Sequence, residues 1–278
     1  MSEAAPLQED AAVDNVDKEV DKEVDNQAAG QHAPPELIWL GRAPYSPTWA
    51  LQEQLRRRVL GGGREAILLC EHPPVLTLGR SAQAGDVLAL AAAQAAGVEV
   101  VRTSRGGQVT YHGPGQLVVY PVVRLRRGVL RHIEWLAAAA VAVAAEHGIA
   151  ARFERARVGV WVGDRKLAAL GVHVERRVAV HGLALNVTAE ASAAFRRGWF
   201  VPCGLAGGQV TSLEESAPPS LPCGSTAAGR AEPPSVRAAA ARLAWALLVG
   251  AGVLPAEAPT PHIHESTVAL LSQALSVE

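Results

Sequence analysis

The densest run of chemistry-bearing residues in the chain is Arg105-Gly106-Gly107-Gln108-Val109-Thr110-Tyr111-His112-Gly113-Pro114-Gly115-Gln116. Glycines let a backbone approach a ligand closely and present its N–H groups. Guanidinium, amide, hydroxyl and imidazole groups interleave with them, so one ligand could meet all four kinds of donor. No Gly-Lys-Ser/Thr follows, which excludes a phosphate-binding P-loop. Taken alone, the run also fits two tight turns with incidental polar residues.

Lysine is scarce. Lys18, Lys22 and Lys166 are the only three, and after residue 35 every positive charge except Lys166 is an arginine. Arginine stays protonated in proteins, whereas a lysine can exchange its proton. Lys166 ends the turn Gly163-Asp164-Arg165 and leads into Leu167-Ala168-Ala169-Leu170-Gly171. Its amine is therefore expected beside poorly solvated surface, where proton transfer becomes available; a solvated hairpin-tip lysine fits the segment equally well. Pro202-Cys203-Gly204 sets a thiol in a loop, open to act as a nucleophile. Pro222-Cys223-Gly224 repeats that pattern, so local sequence does not choose between the two, although Cys223 lies deep in an expected loop insertion. In His181–Val187, Gly182 and Ala184 leave the room an acyl chain would need, and an ordinary core strand reads the same way. No Cys or His grouping has metal-ligand spacing.

The elements that must position these groups are legible as periodic segments. A short strand is expected near Leu37, then a helix capped by Ser46 with Pro47 in its first turn and stopped at Gly61-Gly62-Gly63. Strands are expected at Ala66–Cys70, Val75–Leu78, Val98–Arg102, Gln108–Tyr111, Leu117–Val123, Val158–Val162, Lys166–Val174 and Val178–Asn186. Helices are expected over 87–96, 131–147 and 234–249. Many strands joined by hairpin-length turns predict an α+β domain on a mostly antiparallel sheet with packed helices. Residues 1–35 form an acidic tail predicted to be disordered, 36–255 the catalytic domain with a loop insertion at 214–234, and 256–278 a C-terminal extension.

Composition bounds the class. Hydrophobic residues make up 49% and charged residues 19% of 278, as in a globular protein with a sizeable core. Three scattered cysteines are no disulfide framework. The acidic opening lacks a secretory signal, and no apolar run is long enough for a membrane span. A cytoplasmic location follows as an expectation. Net charge of −1 hides a tail with nine acids and two lysines, followed by a basic body with 18 acids and 24 basic residues. Such a body could steer toward acidic partners.

Taken in order, Glu71-His72-Pro73-Pro74, Thr77-Leu78-Gly79-Arg80, the Arg105–Gln116 run, Lys166–Gly171, His181–Val187, Pro202-Cys203-Gly204 and Thr211-Ser212-Leu213 resemble one family. It is the octanoyltransferases of lipoate synthesis, also called lipoyl(octanoyl) transferases, and the resemblance covers roughly residues 37–215. It implies the fold of the biotin and lipoate protein ligase catalytic domain. The implied activity is transfer of an octanoyl group from octanoyl-acyl carrier protein to a lysine of lipoyl domains, the first step of endogenous protein lipoylation. The implied acceptors are lipoyl domains of 2-oxoacid dehydrogenase and glycine cleavage proteins. Cys203 becomes the acyl-thioester nucleophile and Lys166 the residue that stabilises its thiolate. Arg105, Gly106, Gly107, Gln108, Val109, Thr110, Tyr111 and His112 become the acyl-substrate site, with Ala169, Leu170, Gly171, Gly182, Leu183 and Ala184. A thioester donor needs no ATP, metal or other cofactor. A monomer with no nucleic-acid or membrane partner is expected.

Three alternatives share parts of this pattern. An ATP-dependent lipoate or biotin protein ligase would lack the cysteine at 203. A non-catalytic relative that binds acyl groups or carrier domains would not need both Cys203 and Lys166. A cysteine hydrolase would pair the thiol with His112 or His181.

Overall fold

The computed structural model describes residues 33–201, 209–218 and 234–265. Two strands dictate its architecture. β6 (Gln116–Arg124) is buried at every residue but the last, and β10 (Val178–Asn186) at every residue. Neither alternates polar with apolar, so each must be covered on both faces.

They sit at the centre of an eight-stranded sheet. Its other strands are β1 (Glu36–Arg42), β2 (Ala66–Glu71), β7 (Arg152–Glu154), β8 (Gly159–Val162), β9 (Arg165–Glu175) and β11 (His264–Glu265). The order is β11-β1-β2-β6-β10-β9-β8-β7. Pairing is antiparallel except for β1 with β2 and β1 with β11. β3 (Val75–Leu78), β4 (Glu99–Arg102) and β5 (Val109–His112) form a second sheet in the order β4-β3-β5. β11 comes from the stretch read as a C-terminal extension and adds an edge strand beside Ile38 and Trp39.

One face of the large sheet packs on α1 (Tyr45–Leu60), which buries Thr48, Leu51, Gln52, Leu55 and Val59 at helical spacing. The other face packs on α3 (Val129–Glu146) and α6 (Val236–Gly250), which lie against each other through Leu136, Ala140, Val143, Leu243 and Leu247. A third cluster, Leu76, Val109, Tyr111, Phe195 and Phe200, sits under the small sheet.

Several boundaries differ from those expected. The first helix starts at Tyr45 with Pro44 at its N-cap, and Ser46 instead donates to Glu99 at 3.0 Å. The helix expected over 87–96 is only α2 (Leu90–Ala95). Upstream, Asp86 accepts from the Gln83 N–H and holds a single 3-10 turn, after which Val87 bridges to Phe200. β7 and the short helices α4 (Ala189–Ala193) and α5 (Leu213–Ser216) were not expected, because each is too short to display a period. α5 occupies the start of the expected loop insertion and is capped by Ser212, which accepts from the Glu215 N–H. No helix among the described residues is long and apolar enough to cross a membrane.

Leu136 is fully buried between the sheet and α6. Leu136→Ala is expected to lower unfolding free energy by about 2–5 kcal/mol, as measured by urea denaturation; a loss below about 1 kcal/mol would contradict the packing described.

Candidate functional site

The site is built where the small sheet meets β9 and β10. The turn after β4 carries Arg105, whose guanidinium points inward. It donates to the Thr77 hydroxyl (3.1 and 2.8 Å), to the Thr77 carbonyl (2.5 Å) and to the carbonyls of Gln108 (2.8 Å) and Gly106 (3.0 Å). Only 7% exposed, it clamps its own loop onto β3. The loop backbone is fixed as well: Gly79 and Arg80 donate to the carbonyls of Gln108 and Arg105, and Gly106 donates to Val172 on β9. This closeness needs glycine. A Cβ on Gly79 would stand 2.2 Å from the Gly107 carbonyl, and Gly107 has φ +85°.

The loop lands on the small residues of β9. In the β9–β10 ladder Ala169 pairs with Ala184, Leu170 with Leu183 and Gly171 with Gly182. The Gly106 carbonyl lies 3.0 Å from where a Gly171 Cβ would be. Three segments far apart in sequence thus converge. Ala169 and Gly171 stay partly accessible although β9 is an interior strand. Gly182 allows β6 to close in, since a Cβ there would meet the Val119 carbonyl at 2.2 Å.

Lys166 lies on β9 just before a bulge: Val160 pairs with Ala168 but Trp161 with Lys166, leaving Leu167 as the extra residue. The side chain is 8% exposed. Its Nζ is 4.9 Å from the centroid of the Trp161 ring, and a Cβ on Gly159 would crowd its Cε at 2.9 Å. Among the described residues no carboxylate pairs with it. The amine is therefore seated over the face of the Trp161 ring. Cys203 and Cys223 lie outside the described residues. The stretch that follows Cys203 is held on Lys166: the Lys166 N–H donates to the Gln209 carbonyl (2.8 Å) and the Thr211 N–H donates back to Lys166 (3.0 Å).

His112 closes β5. Its Nδ1–H donates to Gln116 Oε1 at 2.7 Å, and its Nε2 faces the Thr77 hydroxyl at 3.5 Å. The Gln116 amide donates to Tyr111 O and to Asn186 Oδ1, and the Asn186 amide donates to Thr211 O. An unbroken line of hydrogen bonds therefore runs from His112 to the backbone of Lys166. Burial, reinforced by His72, pushes the His112 imidazole down to about 3, and it is neutral at ordinary pH. His181 is likewise pushed down to about 3 by burial, then by Arg105. It adopts φ +60°, its N–H donating to Gln52 and its ring 3.1 Å from the Ser104 hydroxyl. Among the described residues, His112 and His181 thus each have an oxygen partner on a neighbouring side chain. Thr77, Gln52 and Asn186 support the site but were not singled out. Asn186 lies within a motif already noted, while nothing local marks Gln52 except one amide on an apolar helix face.

Cys70 is buried on β2, its thiol pushed up by burial, as expected of a structural cysteine. Among the described residues no group of three His, Cys, Asp or Glu could hold a metal ion.

This sheet, with helices on both faces and a glycine-rich loop on its central strands, is that of the lipoyl protein ligase A/B catalytic domain, whose family model matches residues 44–226. A putative lipoate protein ligase from Thermoplasma acidophilum with bound lipoic acid shares the fold with a TM-score of 0.65 at 15% identity, covering 88% of this chain and 94% of its own. Lipoate-protein ligase A bound with ATP does so at 0.66 and 16%, with coverages of 88% and 94%. Sequence relatives are more specific. The octanoyltransferase of Geotalea uraniireducens is 44% identical over 182 residues, 64% of this chain and 81% of the relative. That of Geobacter metallireducens is 47% identical over 178 residues, 63% and 79%. The chain belongs to the octanoyltransferase family and is an acyltransferase.

Two tests address the hydrogen-bonded line. Gln116→Ala strands the partners of a buried amide, and is expected to destabilise by about 1–3 kcal/mol and to lower activity; an unchanged urea midpoint would refute the network. The buried histidines set a pH dependence. His112 is held near 3 folded but titrates near 6.5 unfolded. The unfolded chain therefore takes up protons first as pH falls. Stability is full above about pH 6.5 and is lost below it, by up to about 1.4 kcal/mol per pH unit for each such histidine. Urea titrations from pH 7 down to 4.5 should show the decline, and a flat profile would contradict it.

Proposed function

We propose that this chain transfers an octanoyl group from octanoyl-acyl carrier protein to a lipoyl-domain lysine through a thioester on Cys203, with Lys166 handling the proton. The observation that carries this reading is the clamp between Lys166 and residues 209–211. Cys203 precedes Gln209 by six residues, a reach of at most roughly 20 Å, which is compatible with a thiol working beside the strand that holds the amine.

The chemistry is consistent with the surroundings. A free thiol is only a few per cent thiolate at neutral pH, and an ammonium beside it that is shielded from bulk water stabilises the anion. The Cys203 sulfur bonds to the acyl carbon and the carrier's thiol leaves. The acceptor amine then attacks the same carbon, the Cys203 thiolate leaves, and Lys166 takes up the proton released by the amine. One thioester replaces another before an amide forms, so no nucleotide is consumed. The paired small residues Ala169, Gly171, Gly182 and Ala184 provide a surface for the acyl chain, and the Arg105 clamp holds the loop above it. The basic body supports acidic carrier and lipoyl domains as partners.

Incubation with octanoyl-acyl carrier protein is expected to add one octanoyl group, lost on thiol treatment and absent from Cys203→Ser. An adduct that persists in that variant, or maps to Cys223, would sink the assignment. Lys166→Arg keeps the charge and should reduce turnover at least about a hundredfold. Turnover that depends on ATP would move the chain to the ligase chemistry.

A further inference from the structure

Roughly 25 Å along β6 from Gln116, a groove of about 830 Å³ opens between α3 and α6. Ala138, Ala139 and Ala142 line it along α3, with Trp135 and Trp245 beside them. Alanines let another element approach closely, and the tryptophans add broad apolar surface. Where β6 passes into α3 the lining turns basic, with Arg124, Arg126, Arg127 and Arg131 against the acids Glu65 and Glu134. Arg126 and Arg131 are paired with those acids, whereas Arg127 is exposed and has no ion pair among the described residues. Pro35 also lines the groove, and the preceding Pro34 carbonyl accepts from Arg64 at 2.8 Å. The chain before residue 33 is thus tethered at this groove.

That segment has the complementary pattern. Val13, Val16, Val20 and Val24 recur at intervals of three and four, the spacing of one helical stripe. Residues 13–25 carry six carboxylates and two lysines. On a helix, Val16 to Val24 would span about 12 Å, and the groove follows α3 from Arg131 to Ala142 for about 16 Å. Ten residues separate Val24 from Pro35, a coil of about 16–19 Å, which sets an effective concentration near the millimolar range. We infer that residues 13–25 dock in this groove of their own chain, valines on the alanine and tryptophan lining and carboxylates against the arginines.

Hydrogen exchange on the full chain at low salt tests this. Amides of residues 13–25 are expected to exchange at least about fivefold slower than unstructured peptide. The tail variant Val16→Ser/Val20→Ser/Val24→Ser should restore the unstructured rate, and it cannot unfold the body. Arg127→Glu/Arg131→Glu should do the same while β10 keeps its protection. Unstructured-rate exchange in the unmodified chain would overturn the inference. So would protection that survives both sets of substitutions, or protection that rises with protein concentration, which would assign the groove to a second copy.

Discussion

The side-chain amide of Asn186 is the joint on which the candidate site depends. It accepts from Gln116 and donates to Thr211, and so couples the glycine-rich run to the chain that returns after Cys203. Each of these polar groups is buried, and a buried amide without partners is costly. The three segments therefore hold one another in a single arrangement. His112 is neutral because burial disfavours its charged form. An imidazole so placed serves as a spacer, its Nδ1–H committed to Gln116.

The doubly covered strands β6 and β10 provide the rigid floor. The small residues of β10 are buried, Ala184 within the α1 cluster, whereas Ala169 and Gly171 on β9 stay partly accessible. The loop around Arg105 covers part of them, and the inward guanidinium holds that loop in place. A charged group is thus used for position, while the surface that it frames consists of alanine and glycine.

How much of this was legible in the sequence follows from the range of the forces involved. Strands such as β2, β6 and β10 and the alanine-rich α3 announce themselves through local composition. The α+β class followed from their number, and the lipoyl ligase fold from the ordered motifs. β7, α4 and α5 are held by tertiary contacts and leave no period. Lys166 stood out by the scarcity of lysine, but its bulge beside Leu167 and its seat against Trp161 are results of pairing between strands. Gln52 was invisible, because its hydrogen bond to His181 spans 129 positions. The pairing of Ala169–Gly171 with Gly182–Ala184 is a matter of register, which the separate motifs do not state.

The burial of Cys70 has a practical chemical consequence. With the thiol pushed up and sealed inside β2, it carries almost no thiolate at neutral pH. Electrophilic probes applied to the native chain therefore pass over Cys70, and denaturation unmasks it. Comparing the label count before and after unfolding turns a core residue into an internal gauge of whether the protein remained folded while its thiols were being read.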